Sequence, residues 1–337
     1  MSCYRLAEEL LKRVGEELVR NGCDCILFSG GVDTTFVALA AVESGLRPTL
    51  VTVLAEGNAD EHYARVAGAA LGLRLVEVRP SLDELLGCAD QALRAMTTID
   101  PIEVISASAV CAGLAKAKEL GCRCVATGDG GDELFLGYGF LHGLGEGELK
   151  AWLDRVSRGA FFNSVEVGRL LGVKVVLPLY SEAAKSVALR AFEEGCDIMR
   201  FSSLAHGKAL MRMAIASRGL RDVGWRLKTP ITAGTGVEAV LGRMRSLVAA
   251  DDVVGLSRRT GIRLPSYAHA YLLKRRLELS LPLPERAAAN GCPICGAPLR
   301  DNFCRFCGAY ILGPARVSVY HDDAARLTGA AELIPGA

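Results

Sequence analysis

Between Cys25 and Thr35 the chain reads Cys-Ile-Leu-Phe-Ser-Gly-Gly-Val-Asp-Thr-Thr. A short apolar run stops at Ser29-Gly30-Gly31, and an apolar helical pattern resumes at Phe36, Val37, Leu39 and Ala40. This spacing predicts a buried strand, a tight glycine turn and a helix N-terminus. The first N–H groups of a helix have no partner within it, and the helix dipole makes the spot they share attractive to anions. Gly30 and Gly31 let a phosphate come close to the backbone. Ser29, Thr34 and Thr35 add hydroxyl donors. Asp33 repels a bare phosphate, so its place in the turn points to a bridging Mg2+. The alternative reading is an ordinary glycine turn of an α/β protein.

A second chemical stretch runs Thr127-Gly128-Asp129-Gly130-Gly131-Asp132-Glu133-Leu134-Phe135-Leu136-Gly137-Tyr138. Three acids among glycines do not suit a core. They suit a turn that holds a metal over a polyphosphate. Further on, Cys292-x-x-Cys295 and Cys304-x-x-Cys307 are each followed by glycine, Gly296 and Gly308. Two such knuckles with a short spacer predict a tetrahedral Zn2+ site in a zinc ribbon. All four ligands are cysteine, so the site is structural, with no position left for a reacting water.

The elements that must carry these residues follow from periodicity. Leu6, Leu10, Val14 and Leu18 recur at helical spacing within residues 1–20, which read as an amphipathic helix rather than a signal peptide. Strands are predicted at 48–54, 74–78 and 122–127, and helices at 60–71, 81–95 (with a Ser81/Glu84 capping box) and 105–120. Alternating strands and helices predict a doubly wound parallel sheet, with ligands at the carboxyl ends of its strands. Both glycine-rich motifs fall at such ends. Of the 337 residues, 50% are hydrophobic, enough for a sizeable core, and the net charge of +1 neither favours nor excludes nucleic acid. No apolar run approaches the ~20 residues of a membrane span, so no membrane partner is expected and a cytoplasmic protein is inferred.

The loop at 29–35 resembles the Ser-Gly-Gly-x-Asp-Ser loop of the PP-loop ATP pyrophosphatases, with Thr34 in place of serine. The stretch 127–138 resembles the signature of the synthetase domain of asparagine synthetase. Asp100-Pro101 before an Ala-rich helix fits the same family, and the likeness spans roughly residues 20–240. It implies an α/β fold of the adenine nucleotide alpha-hydrolase type, to which the residues beyond 240 add a helical C-terminal part and the small ribbon. It also implies cleavage of ATP between its α- and β-phosphates, adenylation of a carboxylate (best guess aspartate), and displacement of AMP by ammonia. On this resemblance the phosphates lie over Ser29–Thr35 and the adenine near Leu54. Gly128 lines the nucleotide site, and Asp33 and Asp132 bind Mg2+. Asp129 and Gly130 lie near the activated carboxylate and the incoming nitrogen. Lys208, in Lys-x-x-Met-Arg212, and Lys228, in Arg226-Leu-Lys228, match lysines that contact phosphates; the plainer reading is two surface helices with basic faces.

Two departures qualify the resemblance. The family's bifunctional members carry an N-terminal glutaminase domain, whereas here about twenty residues precede the first strand, so a separate glutaminase subunit is a candidate partner. The family's Glu-x-Arg-x-Pro-Phe-Leu-Asp element reads Lys174-Val-Val-Leu-Pro178-Leu-Tyr-Ser181, which weakens the case for aspartate. The domain reading is 1–240 for the ATP-binding domain, 241–287 for a basic helical extension, 288–312 for the ribbon and 313–337 for a tail. From Gly255 to Arg316 ten Lys/Arg face three acids. That run, including Lys274-Arg275-Arg276, suits RNA as a partner or else a solvated helix face. An RNA-modifying enzyme that adenylates a base is therefore the alternative function. Finally, Cys23, Cys25, Cys122 and Cys124 precede the two nucleotide motifs at matched spacing. The family's sheet order implies that Cys25 lies beside Cys124 and Cys23 beside Cys122. Buried free thiols are the preferred reading there over cross-strand disulfides.

Overall fold

The computed structural model describes residues 2–201, 204–313 and 316–336. The chain forms two compact units, one of residues 1–79 and 113–235, the other of 80–112 and 236–337. The sequence reading draws a single domain over 1–240. In the structure residues 80–112 leave it and pack with the C-terminal part.

The first unit opens with α1 (Ser2–Asn21), whose Leu6, Leu10, Val14 and Leu18 are buried, as their spacing requires. β1 (Cys25–Leu27) leads into α2 (Val32–Glu43), β2 (Thr49–Val53), α3 (Glu61–Ala70) and β3 (Leu75–Val78). α4 (Leu82–Ala95) starts with the expected capping box between Ser81 and Glu84, and α5 (Pro101–Glu119) runs across the boundary between the units. β4 (Val125–Ala126) is followed by α6 (Gly131–Leu134), α7 (Glu146–Arg158), α8 (Asn163–Leu171), β5 (Val175–Val176) and α9 (Glu182–Glu193). A short hairpin of β6 (Met199–Phe201) and β7 (Leu204–His206) precedes α10 (Ala209–Ser217), α11 (Arg221–Gly224) and α12 (Ile231–Thr235).

The main sheet is parallel, in the order β3-β2-β1-β4-β5. The chain winds outward from β1 to β3, then restarts beside β1 with β4. The topological switch point is therefore between β1 and β4, where an open parallel sheet leaves a crevice for ligands. Ile26, Leu50 and Ala126 face a core shared with α1, α2, α3 and α10. On the other face, Gly113 of α5 packs on Leu27 and Val53, and Gly168 of α8 packs on Val175. Helices on both faces make the doubly wound sheet that the alternation predicts. Among the described residues, no helix is long and apolar enough to cross a membrane.

Disulfides join Cys23 to Cys124, Cys25 to Cys122 and Cys3 to Cys196. This corrects both the free-thiol reading and the expected pairing of 25 with 124 and 23 with 122. The reason is register: Cys25 lies opposite Val125, not Cys124. The one-residue offset crosses the pairs.

The second unit gathers α4 and the start of α5 with α13 (Ala239–Ser246), α14 (Ala250–Thr260) and α15 (Tyr267–Glu278). A zinc-ribbon-like segment with the hairpin β8 (Tyr310–Gly313) and β9 (Arg316–Ser318) follows, then α16 (Ala324–Leu327). The run Lys274-Arg275-Arg276 is not an open basic patch. Arg275 pairs with Asp90 and Glu278, and Lys274 with Asp252. Arg276 is 2% exposed and donates to the carbonyls of Leu93, Met96 and Pro282.

Candidate active site

The loop after β1 and the loop after β4 meet at the switch point. α2 starts at Val32, with Gly31 at its cap in an extended conformation and no side chain capping the first turn. Its early N–H groups are therefore left for an anion. The hydroxyls expected to face that anion partly hold the loop itself. Ser29 Oγ accepts from Gly31 N and lies 3.2 Å from Thr34 Oγ1, while the Thr35 hydroxyl is buried without a partner among the described residues. Gly30 has a φ of +67°, and a Cβ there would collide with the backbone of Tyr63 and Ala64. Leu54 directly follows β2, is buried, and donates its N–H to Val78 O.

The second motif fits against the first without spare room. A Cβ on Gly128 would lie 2.9 Å from Cβ of Asp33, and one on Gly130 2.8 Å from Cβ of Tyr180. α6 thereby sets Asp132 beside Asp33. Lys208 Nζ lies 2.6 Å from Asp33 Oδ2 and 2.7 Å from Asp132 Oδ1, and Lys228 Nζ lies 2.5 Å from Asp132 Oδ2. Two carboxylates and two ammoniums from four separate stretches thus meet at one site, with Lys208 buried and Lys228 at its exposed edge.

The electrostatics follow from that packing. Burial pushes the Asp33 carboxyl above its usual range despite Lys208, and Asp132 adds to the rise. Burial acts the same way on Asp132, but Lys208 and Lys228 outweigh it and hold its carboxyl low. Burial disfavours the Lys208 ammonium, yet Asp132 and Asp33 reverse the sign and keep it charged. Asp129 is turned aside, accepting from Thr127 Oγ1 at 2.9 Å and from the Ser164 hydroxyl, and burial raises its carboxyl. Glu133 accepts from Tyr138 Oη at 2.5 Å, and Lys228 Nζ stands 5.1 Å from the Tyr138 ring centre.

Neither lysine sits on an exposed helix face. Lys208 is 4% exposed, caps α10 with a φ of +62°, and donates its N–H to Phe135 O. Lys228 lies on irregular chain after α11. Two arginines in the quoted elements position them, a role their sequence did not reveal. Arg212 is buried and donates to the carbonyls of Gly207, Gly224 and Arg226, which bracket both lysines. Arg226 pairs with Asp60 at 2.5 Å, stacks on the Tyr63 ring and reaches Ser29 O at 3.4 Å. Ser164 was also missed; nothing around it in the sequence signals a role.

The residues present fit the two metals. Asp33 Oδ1 is buried beside Asp132 without a hydrogen-bond partner among the described residues, and an all-oxygen carboxylate set suits Mg2+. The sulfurs of Cys292, Cys295, Cys304 and Cys307 all lie within 4.8 Å of one another, with 292–307 at 3.6 Å and 295–304 at 3.4 Å. A tetrahedron with Zn–S bonds of about 2.3 Å has edges of about 3.8 Å, close to these. Gly296 and Gly308 adopt φ of +78° and +74°, the turn each knuckle needs. The second knuckle is fixed within its unit by Ile99 N and Thr98 Oγ1 on Phe306 O, and by His269 Nε2 3.0 Å from Cys307 O.

Residues 5–211 match the asparagine synthase family. None of the curated proteins matches the chain. Among solved structures, the chain is similar to a predicted subunit of tRNA methyltransferase from Methanocaldococcus jannaschii. The TM-score is 0.31 at 16% identity, over 60% of this chain and 92% of that one. It is also similar to NMN synthetase from Francisella tularensis, with a TM-score of 0.32 at 18% identity, over 68% of this chain and 98% of that one.

Proposed function

We propose a reaction from one premise: the chain belongs to the asparagine synthase family. The activity is that of an ATP-pyrophosphatase-type adenylating enzyme. A carboxylate oxygen attacks the α-phosphorus of ATP, the bond to the β-phosphate oxygen breaks, and pyrophosphate leaves. Ammonia then attacks the acyl carbon and AMP departs, giving an amide. Aspartate is the first substrate candidate, and a separate glutaminase is one source of the ammonia.

The convergence of Lys208 and Lys228 on Asp33 and Asp132 carries this reading. Phosphoryl chemistry is largely a matter of placing cations where charge develops. The turn at Ser29–Thr35 would hold the phosphates, and Lys208 and Lys228 would neutralise the departing pyrophosphate. Asp33 and Asp132 would hold Mg2+, which supplies charge neutralisation on the phosphate oxygens when bound. Asp129, its carboxyl raised by burial, suits the acceptance of a proton from the incoming nitrogen.

One observation favours a second reading, in which the adenylated group is an RNA base. In the rewritten element, Lys174 Nζ bonds Asn21 O, Ser181 caps α9, and Tyr180 packs on Gly130. The Lys174 ammonium is engaged just before β5, and neither Tyr180 nor Ser181 carries a charge for an amino-acid substrate.

ATP–pyrophosphate exchange with Mg2+, tried with aspartate, other carboxylates and bulk tRNA, tests both. Exchange that needs aspartate, vanishes in Asp132→Ala, and is followed by ammonia-dependent AMP release is the expected result. AMP formation that needs tRNA, with no exchange on any carboxylate, replaces the first reading with the second.

A further inference from the structure

We infer that the outer face of the second zinc knuckle binds single-stranded RNA, its bases stacking on Phe303 and Tyr310 and its phosphates meeting Arg300 and Arg316. The inference deepens the RNA reading above and rests on it.

The face follows from strand register. Phe303 is bridged to Tyr310, and Tyr310 is paired with Ser318. Directly paired residues point to the same side of a sheet, about 5 Å apart, and alternate residues share a side. Phe303 and Tyr310 therefore share one side, and they are 37% and 47% exposed. The opposite side belongs to Val317, which is fully buried. Aromatic rings on neighbouring strands, open to solvent, form the platform on which RNA-binding sheets stack unpaired bases.

The charge around the platform matches the same ligand. From Arg286 to Arg316 four arginines face a single acid, Asp301. Arg300 and Arg316 are exposed, and among the described residues neither side chain has an acidic partner. The thiolates of the zinc site are negative, but all four cysteines are buried. A protein partner would have to supply carboxylates for these guanidiniums as well as cover for the rings. Single-stranded RNA brings a flat base and an anion with every nucleotide. The zinc site then has a purpose beyond scaffold, because the knuckle holds the two rings in register.

The test uses the full-length, zinc-loaded protein and a fluorescein-labelled, unstructured RNA of about a dozen nucleotides, with bulk tRNA as competitor. Anisotropy should report salt-dependent binding. Phe303→Ala with Tyr310→Ala should weaken it about tenfold or more, and Tyr310→Phe should retain it. Arg300→Ala with Arg316→Ala should flatten the salt slope by about 0.7 per arginine. Zinc content and melting temperature control for folding. If the ring variants lose zinc, the rim charge reversal Arg316→Glu carries the test alone. Absence of binding by the unaltered protein, or binding unmoved by these substitutions, overturns the inference. Its failure is distinct from that of the catalytic reading. AMP formation that needs tRNA but ignores the ribbon variants removes only the face. RNA binding through the face without RNA-dependent AMP formation removes only the base as substrate.

Discussion

Gly131 and Asp33 occupy adjoining space: a Cβ on Gly131 would fall 2.5 Å from Oδ1 of Asp33. One motif's glycine is thus the room that the other motif's carboxylate needs. Gly131→Ala should displace Asp33 from Lys208 and cost about 1–3 kcal/mol in stability through overpacking. ATP–pyrophosphate exchange should fall by more than the shift in melting temperature explains. A variant as active as the unaltered protein would mean that Asp33 has slack the packing does not show.

Arg212 ties together the two stretches that carry Lys208 and Lys228. Its guanidinium satisfies carbonyls on both sides of the lysine pair, and a planar fork is hard to replace with an ammonium. Arg212→Lys should lower kcat by about 10–100-fold, because the reacting groups lose their placement. The KM for ATP should move less. Arg212→Met leaves carbonyls unpaired at about 1–3 kcal/mol each, so its defect should appear first in thermal melts. Equal loss in kcat and in stability for both variants would reduce Arg212 to ordinary scaffold.

These residues also mark what could be read in advance. The meeting of Asp33 and Asp132 was legible because both stand in glycine turns at the carboxyl ends of strands that a parallel sheet brings together. The Ser81/Glu84 cap was legible because its partners are three residues apart. Arg212 and Arg226 were not, since a basic side chain defaults to the surface and only tertiary packing shows its burial. The pairing of Arg275 and Arg276 was hidden for the same reason: Asp90, Leu93 and Met96 lie some 180 residues away. The cysteine pairing turned on a one-residue strand offset, which local sequence does not encode.

The disulfides are open to direct measurement. Mass spectrometry of protein purified anaerobically and without reductant should find two hydrogens missing per bridge. Peptide mapping should link 23 to 124 and 25 to 122. These bridges close loops of 101 and 97 residues, so reduction should cost about 2–4 kcal/mol for each. Free thiols would restore the preferred sequence reading, and linkage of 25 to 124 would restore the pairing that the family's sheet order implies.

Asp24 supplies a pH test at the base of the same two strands. Its Oδ1 accepts from Arg123 N at 2.9 Å and Cys124 N at 3.2 Å, and Oδ2 accepts from Arg123 Nε at 3.0 Å. Burial works against the carboxylate, but these bonds outweigh it and lower its pKa. A lowered folded pKa adds stability above the unfolded value of about 3.9, and that stability is lost as pH falls through the folded value. The side chain is 33% exposed, so solvent screens the charge term. Asp24→Asn should cost about 0.5–1.5 kcal/mol at pH 7, and the gap should close in acid. Urea midpoints across that range decide the matter; a gap that stays constant would assign the loss to packing.

Zinc removal completes the series, because the ribbon is tied into its own unit as well as closed on itself. Phe306 O takes hydrogen bonds from both Thr98 and Ile99. A Cβ on Gly308 would fall 2.5 Å from the Asp100 carboxyl carbon. The knuckle therefore shapes the chain that enters α5, and a zinc ion held by its four cysteines would shape the knuckle. One zinc per chain should be found by elemental analysis, and cobalt should replace it with the intense visible bands of a tetrahedral thiolate site. Binding free energies of structural zinc reach about 10–16 kcal/mol in isolated fingers, so chelation or Cys304→Ser should lower the melting temperature sharply. Gly308→Ala should do so mildly, through its φ of +74° and the Asp100 contact. If chelation leaves the melt unchanged, the cysteines hold their places by packing alone and the metal is dispensable to the fold.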